Sequence, residues 1–404
     1  MLGYLDFIRV HWKHLLFGIL LMALSSFGQT FFISLFGADL RGTYHLSDGG
    51  LGAAYAAATF GSALTLQRVG RWIDRTTVPR YTIGVGVLLA GACTLMAVGR
   101  SLPLLLGTLY LLRLGGQGLM VHTSLTVVAR AFPGQRGKAL GISNLGMPAG
   151  EALLPLSAAL GIATVGWRAV WGAGAVLVLA GTALALACLP RPTATTAVVA
   201  YPGGHAGRRG GHRLWRDPRV LFTLPSILAA PFITTGFFFH QGRLLQEKGW
   251  AFEWWATCFV GYAIARAVAM VAVGPLIDRL GAVRVLPFFL APLAVSMASV
   301  AFVRQAWGVP LCLVPIGISG GIAATLLTAL WVELYGPDRL AEVRSTVEAA
   351  NVIASGTSPI VMGYLIDIGV PLSAQGFVCL GYILAASWIA RRVAEHAVAV
   401  ESLI

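Results

Sequence analysis

Apolar residues along this 404-residue chain come in long runs, broken by short clusters of glycine, proline and charge. Twelve runs can be marked, at roughly 15–36, 49–69, 81–99, 103–125, 138–160, 167–188, 219–241, 252–274, 284–303, 309–332, 345–366 and 372–390. Each is about 20 residues long, which is what an α-helix needs to cross the hydrocarbon core of a bilayer. Connections are short within the first six runs and within the last six. Between the two sets lies Pro190 to Pro218, rich in Gly, Pro and Arg and without periodicity, which reads as a linker. The pattern predicts an all-α membrane protein with twelve transmembrane helices in two pseudo-symmetric six-helix bundles. The bundles are expected at 1–189 and 219–404, joined by a linker at 190–218.

Composition agrees with that reading. Hydrophobic residues make up 57% of the chain and charged residues 11%, against about 25% charged in an ordinary soluble domain. Mean hydropathy is +0.78. The net charge of +13 would suggest nucleic acid in a soluble protein, but here the basic residues sit in the short connections and orient the chain in a membrane instead. With a cytoplasmic N-terminus, the outer connections hold Arg41, Arg100, Arg168, Arg243, Lys248 and Arg304, and the other basic residues at span ends fall on the inner side. That bias puts both termini and the linker in the cytoplasm, in a multi-pass protein of the cell inner membrane. Arg9 and Lys13 precede an apolar segment too long for a signal-peptide core, so it reads as the first membrane helix. Cys93, Cys188, Cys258, Cys312 and Cys379 all fall inside apolar runs without paired spacing, which implies neither disulfides nor a metal site.

Two segments repeat at about half the chain length. Gly70 to Arg75 and Gly274 to Arg279 share the pattern Gly-x-x-x-Asp-Arg at the end of an apolar run, with Asp74 and Asp278 as the acidic residues. Phe132 to Ser143, leading into the fifth run, is echoed by Tyr335 to Thr346, leading into the eleventh. Both echoes point to duplication of a six-helix unit.

Twelve spans in two halves, a central basic linker and the repeated Gly-x-x-x-Asp-Arg resemble the major facilitator superfamily over essentially the whole chain. Arg113, Gln117 and Gly118 in the fourth span are similar to the superfamily's Arg-x-x-Gln-Gly pattern, with the glutamine one position late. Arg-Gly-Lys-Ala-Leu-Gly-Ile at 136–142, together with Gly166, Trp167 and Arg168, resembles the branch of monocarboxylate transporters and the oxalate:formate exchanger. The resemblance implies two bundles rocking about a central cavity, and a carboxylate site at an eighth-span arginine, which here is Arg266. Two departures stand out: Ala265 occupies the position of an aspartate in animal monocarboxylate transporters, and the first span has no internal lysine.

Three charges fall near mid-membrane depth: Arg113, Glu151 and Arg266. An arginine there costs about 2.5–3.5 kcal/mol on insertion scales, so each must face protein or water. Arg113 and Glu151 lie in neighbouring spans of one half and are expected to pair. That pair reads either as a proton-coupling site, with the carboxylate titrating as its neighbour moves away, or as a static lock between helices. Arg266 reads as an anion clamp, since a guanidinium grips a carboxylate through two parallel hydrogen bonds. Tyr262, one turn earlier, could add a third. Gln29, Phe31, His240 and Gln117 are further candidates for the substrate site. The motif residues Gly70, Asp74, Arg75, Gly274, Asp278 and Arg279 are expected to gate, with the aspartates capping a helix start and pairing with arginines.

No nucleotide loop, metal cluster or catalytic spacing is present, so neither an enzyme nor a cofactor is expected. The expected function is secondary active transport by a monomer. Its substrate would be a small organic anion, a monocarboxylate, moved by alternating access with proton symport or anion exchange. A proton-coupled antiporter exporting drugs or amphipathic metabolites, and a non-transporting membrane sensor, stay open as alternatives.

Overall fold

The computed structural model describes residues 4–189, 217–336 and 339–401. The linker expected at 190–218 lies outside them, except for Asp217 and Pro218. In chain order the α-helices are α1 (Tyr4–Leu24), α2 (Thr30–Ile33), α3 (Gly37–Tyr44), α4 (Asp48–Val69), α5 (Val78–Val98), α6 (Leu102–Leu112), α7 (Val121–Ala131), α8 (Arg136–Asn144), α9 (Gly146–Val165) and α10 (Trp167–Ala187). They continue as α11 (Pro218–Phe239), α12 (Gln241–Lys248), α13 (Phe252–Leu280), α14 (Ala282–Val285), α15 (Ala291–Phe302), α16 (Gly308–Tyr335), α17 (Leu340–Asp367) and α18 (Leu372–Glu401). Short 3₁₀ turns and one π-helical segment, Arg113–Met120, join some of them.

Eleven stretches among the described residues are long and apolar enough to cross a membrane. The expected second span is missing from that set. As α4 it has 22 residues, about 33 Å at 1.5 Å per residue, but glycine and alanine take the place of leucine and isoleucine in it. Both six-helix halves of the expected fold are formed. The first span differs most from expectation, because it starts ten residues earlier and ends at Gly28. Gln29 is extended, with φ −85° and ψ 152°, and breaks the helix. His11, Lys13 and His14 had made the first part of this helix look like a polar lead-in.

Contacts divide the chain into two compact units. Unit 1 comprises Met1–Leu46 and Ala54–Gly204, and unit 2 comprises Ser47–Ala53 and His205–Ile404. The first turn of α4 therefore belongs to unit 2 and the rest of that helix to unit 1. Within unit 1, α1 packs on α9 and α5 on α10; within unit 2, α13 packs along α16, and α11 against α17 and α18.

These pairings run along seams of small residues, as expected where van der Waals contact between helices replaces a hydrophobic driving force. A Cβ on Gly146 would lie 2.1 Å from the Ile19 carbonyl oxygen, and one on Gly150 would lie 2.2 Å from Ser26 Oγ. The α1–α9 crossing is thus closed to any larger residue at those positions.

Candidate transport site

Arg113 is fixed from below by backbone packing. A Cβ on Gly116 would stand 2.6 Å from the Gly28 Cα, and one on Gly28 would stand 2.1 Å from the Leu112 carbonyl oxygen. Backbone thus meets backbone where the first span ends, and Arg113 Nη1 donates to the Gly28 carbonyl at 3.1 Å. Its Nε donates to Thr59 Oγ1 at 3.1 Å, and the guanidinium lies 4.9 Å from the centre of the Tyr55 ring. The Tyr55 hydroxyl is in turn 2.6 Å from the Thr30 hydroxyl. Arg113 is only 3% exposed. These neutral partners stand where the sequence had suggested Glu151.

The π-helical segment begins at Arg113. Such segments hold an extra residue relative to an α-helix and cluster at functional sites. It accounts for the late glutamine: the added residue of Arg-Leu-Gly-Gly-Gln is absorbed in the wide turn, and Gln117 comes out exposed while Arg113 is buried.

In unit 2 the corresponding charge is built differently. α16 presents Gly317 and Gly321, one turn apart, to the Tyr262–Arg266 turn of α13. A Cβ on Gly317 would stand 2.3 Å from the Tyr262 carbonyl oxygen, and one on Gly321 would stand 2.3 Å from that of Arg266. Arg266 is half-buried, and its Nη1 donates to the Tyr262 hydroxyl at 3.2 Å. Tyr262 is nearly fully buried, edge-on to Phe238 at 5.6 Å and beside Phe259 at 5.5 Å between ring centres. The rings fix the phenol, and the phenol orients the guanidinium. This arrangement suits a planar anion.

The other candidates are scattered. Glu151 is buried on α9 beside the Gly150 contact with Ser26. Gln29 marks the helix break and is half-buried, and Phe31 is buried. His240 is fully buried at the end of α11, with Nε2 3.0 Å from the Pro359 carbonyl. It is closed off from solvent, whereas a substrate-lining role had been expected.

The two Gly-x-x-x-Asp-Arg copies also differ. Asp74 pairs with Arg130, and the Gly70 carbonyl lies 3.1 Å from His122 Nε2. Arg75 is exposed. In the second copy α13 continues as helix through the motif, Gly274 has open space around it, and Asp278 and Arg279 are exposed. The helix start expected to be capped by Asp278 is capped instead by Glu333. Its carboxylate accepts from the Ala282 and Val283 N–H groups at 2.6 and 3.4 Å. Gly281, with φ 83°, makes the tight turn that exposes those groups.

Several polar residues that organise the structure were not singled out in the sequence: Tyr55, Thr59, Asp48, Arg243, Asp367 and Glu333. Only Asp48 carried a local signal, an acidic residue at the start of an apolar run. Among the described residues, no group of three or more His, Cys, Asp or Glu side chains could hold a metal.

Residues 18–260 and 246–402 match the Major Facilitator Superfamily, and the chain belongs to that superfamily. The fold is shared with the crystal structure of the nucleoside transporter NupG (D323A mutant). The TM-score is 0.74 at 12% identity, over 95% of this chain and 99% of that one. At such low identity the likeness is one of fold. No curated protein sequence gives a match. The chain is thus a multi-pass membrane protein and a secondary transporter of a small substrate, not an enzyme.

Proposed function

We propose that the transporter moves a small organic anion, a monocarboxylate, across the inner membrane by alternating access, coupled to proton symport or anion exchange. Both termini would be cytoplasmic. The observation that carries this reading is the Arg266–Tyr262 turn. A half-buried guanidinium lies beside a phenol that is itself held by two rings, and a guanidinium is the side chain whose fork geometry best matches a carboxylate. Glu151, buried on α9, supplies a carboxylate for proton coupling. Arg113, held by neutral partners, acts as a helix clamp within unit 1.

The test is uptake by purified protein in proteoliposomes, with a panel of monocarboxylates, dicarboxylates, nucleosides and cationic amphiphiles, each with and without a pH gradient. Saturable monocarboxylate uptake stimulated by the gradient, or by internal carboxylate, is the expected result. Uptake of nucleosides or cationic amphiphiles with no response to carboxylates would overturn the reading.

A further inference from the structure

We infer that Asp48 and His240 form a proton-binding latch that holds the first turn of α4 within unit 2. This goes beyond the substrate reading and does not depend on it. Asp48 and His240 are both buried, their side chains 1% and 0% exposed. His240 Nε2 lies 3.0 Å from the Pro359 carbonyl oxygen. A carbonyl cannot donate, so Nε2 must carry the hydrogen. That fixes the tautomer of the neutral ring and leaves Nδ1 as a bare lone pair. Nδ1 makes no hydrogen bond and lies 3.7 Å from Asp48 Oδ1. A neutral imidazole therefore turns a lone pair toward a carboxylate. Protonation at Nδ1 replaces that repulsion with an N–H directed at an anion, and a shift of less than 1 Å makes it a charge-assisted hydrogen bond.

The rest of the cluster makes this contact decisive for the turn. Arg243 Nε donates to Asp48 Oδ2 at 2.7 Å, from a half-exposed position. The Asp367 carboxylate accepts from the Asp48 and Gly49 N–H groups at 3.0 and 2.9 Å, at the N-terminus of α4. Backbone also meets backbone here, since a Cβ on Gly52 would stand 2.3 Å from the Pro359 carbonyl oxygen. Charged groups of this cluster include Asp48 from α4, which lies against His240, and Arg243 from α12 and Asp367 from the end of α17, which contact the same turn. On α12, Glu247 is engaged by the Leu372 and Ser373 N–H groups and Lys248 lies beyond it. α11 brings no charge between Val220 and Phe239, α16 none between Gly308 and Val332, and α18 none between Leu372 and Ala390.

One added proton on Nδ1 separates the two states of this contact. Acid favours the latched turn and alkali loosens it. Because α4 continues into unit 1, loosening its first turn frees the end of a span rather than an isolated loop.

Hydrogen–deuterium exchange of the full-length protein, corrected for intrinsic exchange rates, tests this without any substrate. The amides to follow are those of residues 48–53. Protection in the wild type is expected to rise as pH falls, by up to about tenfold per unit where the single proton is taken up. In His240→Gln, whose amide can still donate to Pro359 but cannot take a proton, protection should be flat with pH. His45→Gln, which changes the exposed histidine three residues before Asp48, should keep the wild-type response. Flat protection in the wild type, or an unchanged pH response in His240→Gln, would overturn the inference. Because the wild-type profile is decisive alone, a poorly folding variant does not blunt the test. Loss of carboxylate uptake would leave this result standing, so the two proposals fail separately.

Discussion

Arg113 and Arg266 both lie within candidate membrane spans, each seated where glycine lets one backbone touch another, yet they are held in different ways. Arg113 is closed into unit 1 by a carbonyl, a hydroxyl and an aromatic face, all neutral, and almost none of it meets solvent. Arg266 is half-buried, and among its contacts is a phenol of its own helix, which is in turn braced by Phe238 and Phe259. The first arrangement commits the Nε donor, one Nη1 donor and a ring face to the fold, which is what a structural clamp requires. The second orients the charge while leaving part of its surface accessible. The two charges differ in exposure and in the contacts that hold them, not in their place along a span.

That comparison can be broken in stages. The largest expected effect is that of Arg113→Ala, which removes the donors to the buried Gly28 carbonyl and Thr59 hydroxyl and leaves a cavity. A loss of about 2–5 kcal/mol follows, seen as a marked fall in the unfolding temperature of detergent-purified protein. An unfolding temperature close to wild type would mean that Arg113 is not a clamp.

Arg266→Gln should show the converse, with stability near wild type and carboxylate affinity about 10–100-fold weaker, as expected for losing a charge-assisted contact of about 1.5–3 kcal/mol. Next comes Gly321→Ala, whose Cβ would sit 2.3 Å from the Arg266 carbonyl. Overpacking there should cost about 1–3 kcal/mol and displace the clamp, so stability and affinity fall together.

The smallest effects belong to the second motif copy and the carboxylate that caps the helix after it. Glu333→Gln removes a charge from a helix N-terminus and should cost about 0.3–1 kcal/mol. Asp278→Asn, at an exposed position, should change stability by no more than about 0.5 kcal/mol. If Asp278→Asn proved the more damaging, the capping role assigned to Glu333 would be wrong.

How much of this the sequence disclosed follows from how far apart the partners lie. Eleven of the spans were legible because each carries its own apolar length. The first was misplaced because its opening turn is polar and because Gln29 breaks a run that stays apolar on both sides. Tyr262 and Arg266 were legible as a pair because they sit one helical turn apart.

The Arg113 cradle was hidden, because Thr59 and Gly28 lie 54 and 85 positions away. Glu151, in a neighbouring span, looked the natural mate for a buried charge, and neutral partners leave no mark in a sequence. The Asp48 cluster was hidden for the same reason, as its partners Arg243 and Asp367 stand 195 and 319 positions away. Gln117 came out on an exposed face because the turn is π-helical, which spacing rules based on 3.6 residues do not anticipate.

The most direct measurement of the central claim is the concentration dependence of uptake of the best-transported carboxylate by wild type and Arg266→Lys, at equal amounts of folded protein. Lysine keeps the charge but cannot offer two parallel donors. The account predicts at least a tenfold rise in the half-saturating concentration for Arg266→Lys. An unchanged uptake curve would contradict it.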